Sequence, residues 1–378
     1  MTESAARTEP VVDAGAIVAL RLFDIAYSID LGRVEALTAA LPGSAIRAKL
    51  SGTPEKAVAF GVPPVVLALD PVTVGSGDAT MRAEVTARFY DFGAIALAVR
   101  VPVSAMRWSD FNAAVQAVDQ AIGPAADAAF WRALLDRACK PVAPAFNRPS
   151  VATIEEDYLL AIVHRLDEPL TAAGLLDRID LVPLLSGERR PLSEAARRDL
   201  LRQSFSYYVD DLVVLTWDRA FIYEPHGDSD VADVLEVANA QLLELRYYDE
   251  LLDDELPAMY DRVEAARGTK PLFAARRFAQ LARRLYTLVA EVTELTEKVD
   301  NALQVTEDVY LARIYASALA LFRVPKLGAA VDRKLAIIRD TYTALYDEAS
   351  GSRAEILELA IIVLILIEIV LALISLSR

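Results

Sequence analysis

Residues 356–374 constrain this chain more than any other stretch: fifteen of the nineteen are Ile, Leu or Val, two are alanine, and the remaining two are Glu358 and Glu368. Nineteen to twenty-one helical residues rise roughly 28–32 Å, about one hydrocarbon core. Fifteen aliphatics at about −0.4 kcal/mol each favour insertion by roughly −6 kcal/mol, against about +2.5 to +3.5 kcal/mol for an acid in mid-bilayer. Glu358 lies near the upstream edge, so Glu368 is the one charge to overcome. The expectation is a single membrane-spanning helix over 354–376, with Tyr342, Tyr346 and Arg353 as interfacial anchors. The rival is a helix enclosed in a soluble oligomer, where an all-round apolar surface is also at home. An acid in such a span is a functional candidate: copies of Glu368 in a homo-oligomer would line a polar path or pair while protonated.

The rest of the chain is that of a water-borne protein. Charged residues make up 25% of its 378 positions, too many for a multi-span membrane protein, and the net charge of −15 argues against direct, sequence-independent DNA or RNA binding. One cysteine and two histidines exclude a disulfide framework and any multi-cysteine or imidazole-rich metal site. Residues 1–15 carry Glu3, Glu9 and Asp13 and no apolar stretch, so neither a secretory signal nor a transit peptide is expected. They are read as a disordered N-terminus.

Residues 16–225 read as an α+β body, with a break near 141–152 set by Pro141, Pro144 and Pro149. Positions 81–89 alternate strictly between apolar and polar, Asp91-Phe92-Gly93 supplies a turn, and 94–101 is a second apolar strand. Further strands are expected at 17–25, 65–69 and 158–165. Helices are expected from Ser109 and Asp110 to Ile122 and over 192–203, and a tight hairpin at 212–217 and 220–223.

After Pro225 the pattern becomes helical. From Val231 to Val263 apolar residues recur every three or four positions, Gly268-Thr269-Lys270-Pro271 breaks the run, and Phe278 to Ala302 follows a 3-4 alternation. That is the seam of an antiparallel coiled-coil hairpin over 226–350, its second arm continuing to Phe322, where Pro325 stops it. From Asp228 to Glu264 twelve acids face only Arg246 and Arg262. Reflection about Thr269 sets Arg283 and Arg284 opposite Asp254 and Glu255, and Arg276 opposite Arg262 and its neighbour Asp261, pairs that fix register more than they stabilise. A third helical stretch covers 327–346.

Chemical signatures are weak. Gly75-Ser76-Gly77 lacks the third glycine of a dinucleotide loop, and no phosphate-binding, zinc-protease or nucleophile-elbow motif appears. His164 sits in an alternating strand without a second histidine, His226 lies in a loop with carboxylates, and Cys139 falls on an apolar helix face. The acids 249, 250 and 253–255 invite a metal-site reading, but a solvated helix flank meeting arginines explains them more simply. No catalytic residue, metal or cofactor is assigned.

Residues 234–252, VLEVANAQLLELRYYDELL, resemble the signature of the "required for meiotic nuclear division" (RMND) family. Asp210-Asp211-Leu212-Val213-Val214, Asp308-Val309-Tyr310-Leu311-Ala312-Arg313 and the terminal apolar run are also similar to it. The resemblance implies a C-terminal membrane segment, self-association and, from the mitochondrial member, support of translation by tethering ribosomes; it brings no catalytic residues. The motif residues Asn239, Gln241, Glu244, Arg246, Tyr247, Tyr248 and Asp249 are expected to do architectural work. Asn239 and Gln241 would select register in a helical seam, Arg246 would bond Glu250 or another nearby carboxylate, and the two tyrosines would join helix to sheet. The resulting expectation is a non-enzymatic, homo-oligomeric scaffold held at a bacterial inner membrane with its body in the cytoplasm. Its partners would be itself, lipid and a ribosome or other membrane-associated protein. A pore lined by Glu368 is the alternative, and a metal-dependent hydrolase a weaker one.

Overall fold

Strands form where β-branched and apolar residues alternate or run together, and the computed structural model assembles them into one large sheet and a separate two-stranded one. It describes residues 9–39, 46–47, 62–75, 80–126, 128–150, 154–188, 190–226, 230–267, 271–302 and 309–376. In order these are β1 (Val11–Asp24), β2 (Ala26–Ile29), α1 (Leu31–Thr38), β3 (Ile46–Arg47), β4 (Val65–Val74), β5 (Met81–Phe89), β6 (Ala94–Val103), β7 (Met106–Arg107), α2 (Trp108–Ile122) and α3 (Ala129–Cys139). After a 3-10 turn come β8 (Phe146–Pro149), β9 (Glu155–Leu166), α4 (Ala172–Arg178), α5 (Val182–Ser186), α6 (Glu194–Leu200), β10 (Ser204–Phe205), β11 (Leu212–Leu215) and β12 (Arg219–Tyr223). Four long helices follow: α7 (Val231–Arg267), α8 (Pro271–Ala302), α9 (Val309–Leu321) and α10 (Val324–Leu376).

The sheet runs β10-β11-β12-β9-β1-β6-β5-β4-β3, with β7 also on β1; β12 lies parallel to β9 and every other pair is antiparallel. The hairpin of β5 and β6 pairs Thr86 with Ala98 and Phe89 with Ile95. Its turn needs Gly93, at φ +106°, because a β-carbon there would come within 1.8 Å of the Ala26 carbonyl oxygen. Side chains alternate across each strand. One face carries Ile17, Phe23, Leu97, Val99 and Phe221 into a buried core with Phe111, Val115 and Val118 of α2 and Trp131 and Leu134 of α3. The opposite face receives α7 and α9: Arg88 and Tyr90 bond acids of α7, and the Tyr158 ring meets Phe322, just past α9, at 5.4 Å.

The chain divides into two compact units, the first Met1–Glu244 with Lys298–Pro325 and the second Leu245–Glu297 with Lys326–Arg378. Within the second, Glu255 of α7 accepts from Arg284 of α8 at 3.2 Å. Lys334 of α10 bonds Asp249 and Asp253 of α7, and Tyr342 of α10 meets Tyr286 of α8 ring to ring at 5.8 Å.

These observations correct the expected fold class. The body is mixed α/β, with its antiparallel hairpins joined into one ten-stranded sheet that carries helices on both faces; the correction concerns the coiled coil and the terminal helix. The coiled-coil hairpin is not what α7 and α8 form. Residues 234–240 of α7 are buried on every side, as in a core helix, and beyond Glu244 the buried positions Val331, Leu335, Ile338 and Leu345 bring α10 into the packing at its own 4-3 spacing. Whether the second arm continues to Phe322 falls on residues 303–308, which lie outside the described residues: α8 is described to Ala302 and α9 from Val309. Arg323, at φ +57°, ends α9, and Pro325 opens α10, since a first-turn residue needs no N–H to give.

The membrane-spanning helix is also corrected. Among the described residues no single helix is long and apolar enough to cross a membrane. The segment is the last part of the 53-residue α10, and its continuous described apolar surface is residues 361–369. The side chain of Arg353, the proposed anchor, lies outside the described residues, as do Ser76 and Gly77 of the glycine loop.

Candidate functional site

Two buried arginines on apolar strands have to find anions, and they come together at one cleft. Arg21 of β1 sits opposite Asp157 of β9 in the antiparallel register, and its Nη1 donates to Glu155 Oε1 at 2.9 Å. Its guanidinium lies over the Trp131 ring, 5.4 Å from the centroid, while its Nε has no hydrogen-bond partner among the described residues. Arg219 opens β12 opposite Leu159 and donates from Nη2 to Asp119 Oδ2 at 2.7 Å and from Nη1 to the Leu184 carbonyl at 3.2 Å. Asp119 comes from the last turn of α2, one position round from the inward Val118. Gly187, at φ +65°, lets Arg219 lie flat, because a β-carbon there would meet Nη2 at 2.4 Å.

Asp119, Asp157, Asp218 and the two arginines line a cleft of about 20 Å³, room for one water. Burial raises the Asp157 carboxyl pKa against the pull of Arg21, and Asp218, Glu155 and Asp119 push the same way. The cluster ties α2 to three strands.

On the opposite face Arg88 Nη1 reaches Asp233 at 2.8 Å and Glu236 at 3.3 Å, and the Tyr90 hydroxyl donates to Glu236 Oε1 at 2.6 Å. Burial raises the Glu236 carboxyl, and Asp233 adds to this, while Arg88 and the two hydrogen bonds oppose it. Arg88 is driven well above its ordinary value by Glu236 and Asp233 despite its burial. This network clamps the start of α7 to β5.

The other titratable candidates are structural in their contacts. His164 lies 3.5 Å from Arg100 and 3.5 Å from Glu224; burial, then Arg100, lowers its pKa. His226 Nε2 is 3.4 Å from Asp210 Oδ2, and burial pushes the Cys139 thiol up to about 12, so it is protonated at neutral pH. Among the described residues no three His, Cys, Asp or Glu side chains converge as a metal site.

Asp24, at the end of β1, was not foreseen. Burial pushes its carboxyl up to about 7, against a 3.4 Å hydrogen bond from Ser150. The folded state therefore holds a proton that the unfolded chain releases near the ordinary value of 3.8. Its contribution to stability is complete below about pH 4, declines as pH rises through about 7, and is flat above. Asp24→Asn is expected to remove that decline: the variant is the more stable of the two at about pH 8 and close to the parent at about pH 4. Urea midpoints across the range measure this.

The motif residues come to lie on both units. Asn239 is buried and donates to the Leu235 carbonyl of its own helix at 2.8 Å, and Gln241 accepts from the Tyr315 hydroxyl at 2.7 Å. Glu244 and Tyr248 are buried, Tyr247 packs edge-on to Tyr248, and Arg246 is exposed. Asp249 bonds Lys334, and Arg284 bonds Glu255 beside an exposed Arg283. Glu358 and Glu368 are exposed on α10.

Among the described residues α10 carries a continuous exposed apolar run. Its eight aliphatic residues from Ile361 to Ile369 are between 49% and 64% exposed, with Glu368 among them. Nine consecutive helical positions point in every direction around the axis, so the run has no covered side.

A protein-family profile described as "Uncharacterized protein MJ0711, N-terminal domain" matches residues 14–230. The uncharacterized protein MJ0711 of Methanocaldococcus jannaschii is 26% identical over 194 residues, 51% of this chain and 58% of its own length. The chain thus spans little more than half of that relative. The profile match ends just before α7, so the 234–252 string lies outside it. No solved structure matches.

Proposed function

We propose that this chain, which belongs to the family of the MJ0711 N-terminal domain, works as a non-enzymatic homo-oligomeric scaffold whose copies join through residues 361–369 of α10. The half-exposed run around α10 is the observation that carries the reading. Burying the open half of eight aliphatic side chains is worth on the order of 6–12 kcal/mol per protomer before association costs. A flat partner would cover one side of the helix, whereas several copies of the same helix offer matching apolar surface on all sides. The likeness of the 234–252 string to RMND proteins supports use of the assembly as a tether, with the ribosome as the partner that likeness implies. Light scattering on Leu364→Asp with Ile365→Asp, expected to be smaller than the parent particle, tests the assembly. Co-sedimentation with ribosomes tests the tether.

A further inference from the structure

The chain carries a charge of −15, yet one groove in its second unit is lined by arginines. Arg262 comes from α7 and Arg277 and Arg284 from α8, with Ala265, Gln280 and Leu281 completing a groove of about 390 Å³. Positions 277, 280, 281 and 284 share one face of α8 because they repeat every three or four residues. Glu255 takes Arg262 at 3.0 Å and Arg284 at 3.2 Å, so one carboxylate stands between two guanidinium groups and a third arginine lines the same space. The side chains of Arg262 and Arg284 are 37% and 57% exposed, within reach of a ligand from solvent.

We propose that this groove binds an organic molecule through its phosphoryl group. Guanidinium forks match phosphate oxygens two at a time, and the volume lies in the range of small-ligand sites. Leu281 and Ala265 give the organic portion an apolar wall. A soluble phosphate ester and a phospholipid headgroup share this chemistry. The inference stands apart from the assembly reading, which concerns residues 361–369.

The test uses the full chain at about 50 mM salt, with ADP as the soluble probe and vesicles of phosphatidylcholine with or without phosphatidylglycerol as the lipid probe. Saturable binding to ADP, or flotation with phosphatidylglycerol vesicles alone, is expected, and which of the two occurs identifies the source. Arg277→Gln with Arg284→Gln should weaken that binding by about tenfold or more, while Arg82→Gln, an exposed arginine on β5, should leave it within about twofold. Arg277→Lys, which keeps charge but loses the fork, should fall between them. Binding to neither probe overturns the proposal. So does binding unchanged in a double variant whose melting curve and particle mass match the parent, including flotation with pure phosphatidylcholine.

Discussion

Arg88→Ala is expected to lower the free energy of unfolding by about 3–5 kcal/mol, a large share of what a domain of this kind possesses. The guanidinium is what makes the Glu236 charge tolerable: Glu236 is 6% exposed, and without Arg88 the Tyr90 hydroxyl and a second acid, Asp233, are what remain beside it among the described residues. Glu236→Gln is expected to cost far less, about 1 kcal/mol, since the amide oxygen still accepts from Tyr90 and Arg88 keeps Asp233. Replacing Arg88 and Glu236 together by Met and Leu should recover most of the Arg88→Ala loss, because a buried pair is costly to break but not to exchange for packed apolar groups. Denaturant unfolding of the four proteins gives the comparison. A cost below about 1 kcal/mol for Arg88→Ala would mean that the network does not hold α7 to the sheet.

Loss of the assembly is the second large effect. Leu364→Asp with Ile365→Asp places two charges on the proposed contact surface, and each would have to be desolvated or neutralised on association. The expected result is dissociation at micromolar concentration with the sheet unit unchanged by circular dichroism. Glu368→Leu should act in the opposite direction. That position lies in the same apolar run, where the carboxylates of neighbouring copies repel one another, so its removal is expected to tighten association by about tenfold or more.

Local pattern made the strands legible. Strict alternation over 81–89 and the turn at 91–93 define β5, its loop and β6, because period-two burial is written in consecutive residues. The extent of β1 was harder to read: it begins at Val11, where the backbone N–H bonds Asp167, a residue far away in sequence. Arg21 and Glu155 meet across 134 positions and Arg88 and Asp233 across 145, so each arginine's isolation in an apolar strand was the available sign that a distant acid must exist. The heptads of α7 and α8 show which side of each helix is buried but not how many helices share the seam, which is why α10's part in it was missed. The terminal run is apolar by composition in lipid and in an oligomer core alike. Its described exposure over 361–369, not its composition, is what the proposed contact surface rests on.

Sedimentation velocity on the full chain and on a version ending at Gly351, both across a concentration series, tests the central claim most directly. The account predicts a discrete multimer for the full chain and a single protomer, with unchanged unfolding of the sheet unit, for the shorter one. A full chain that sediments as one protomer at every concentration, or a shortened chain that keeps the parent's mass, would contradict it.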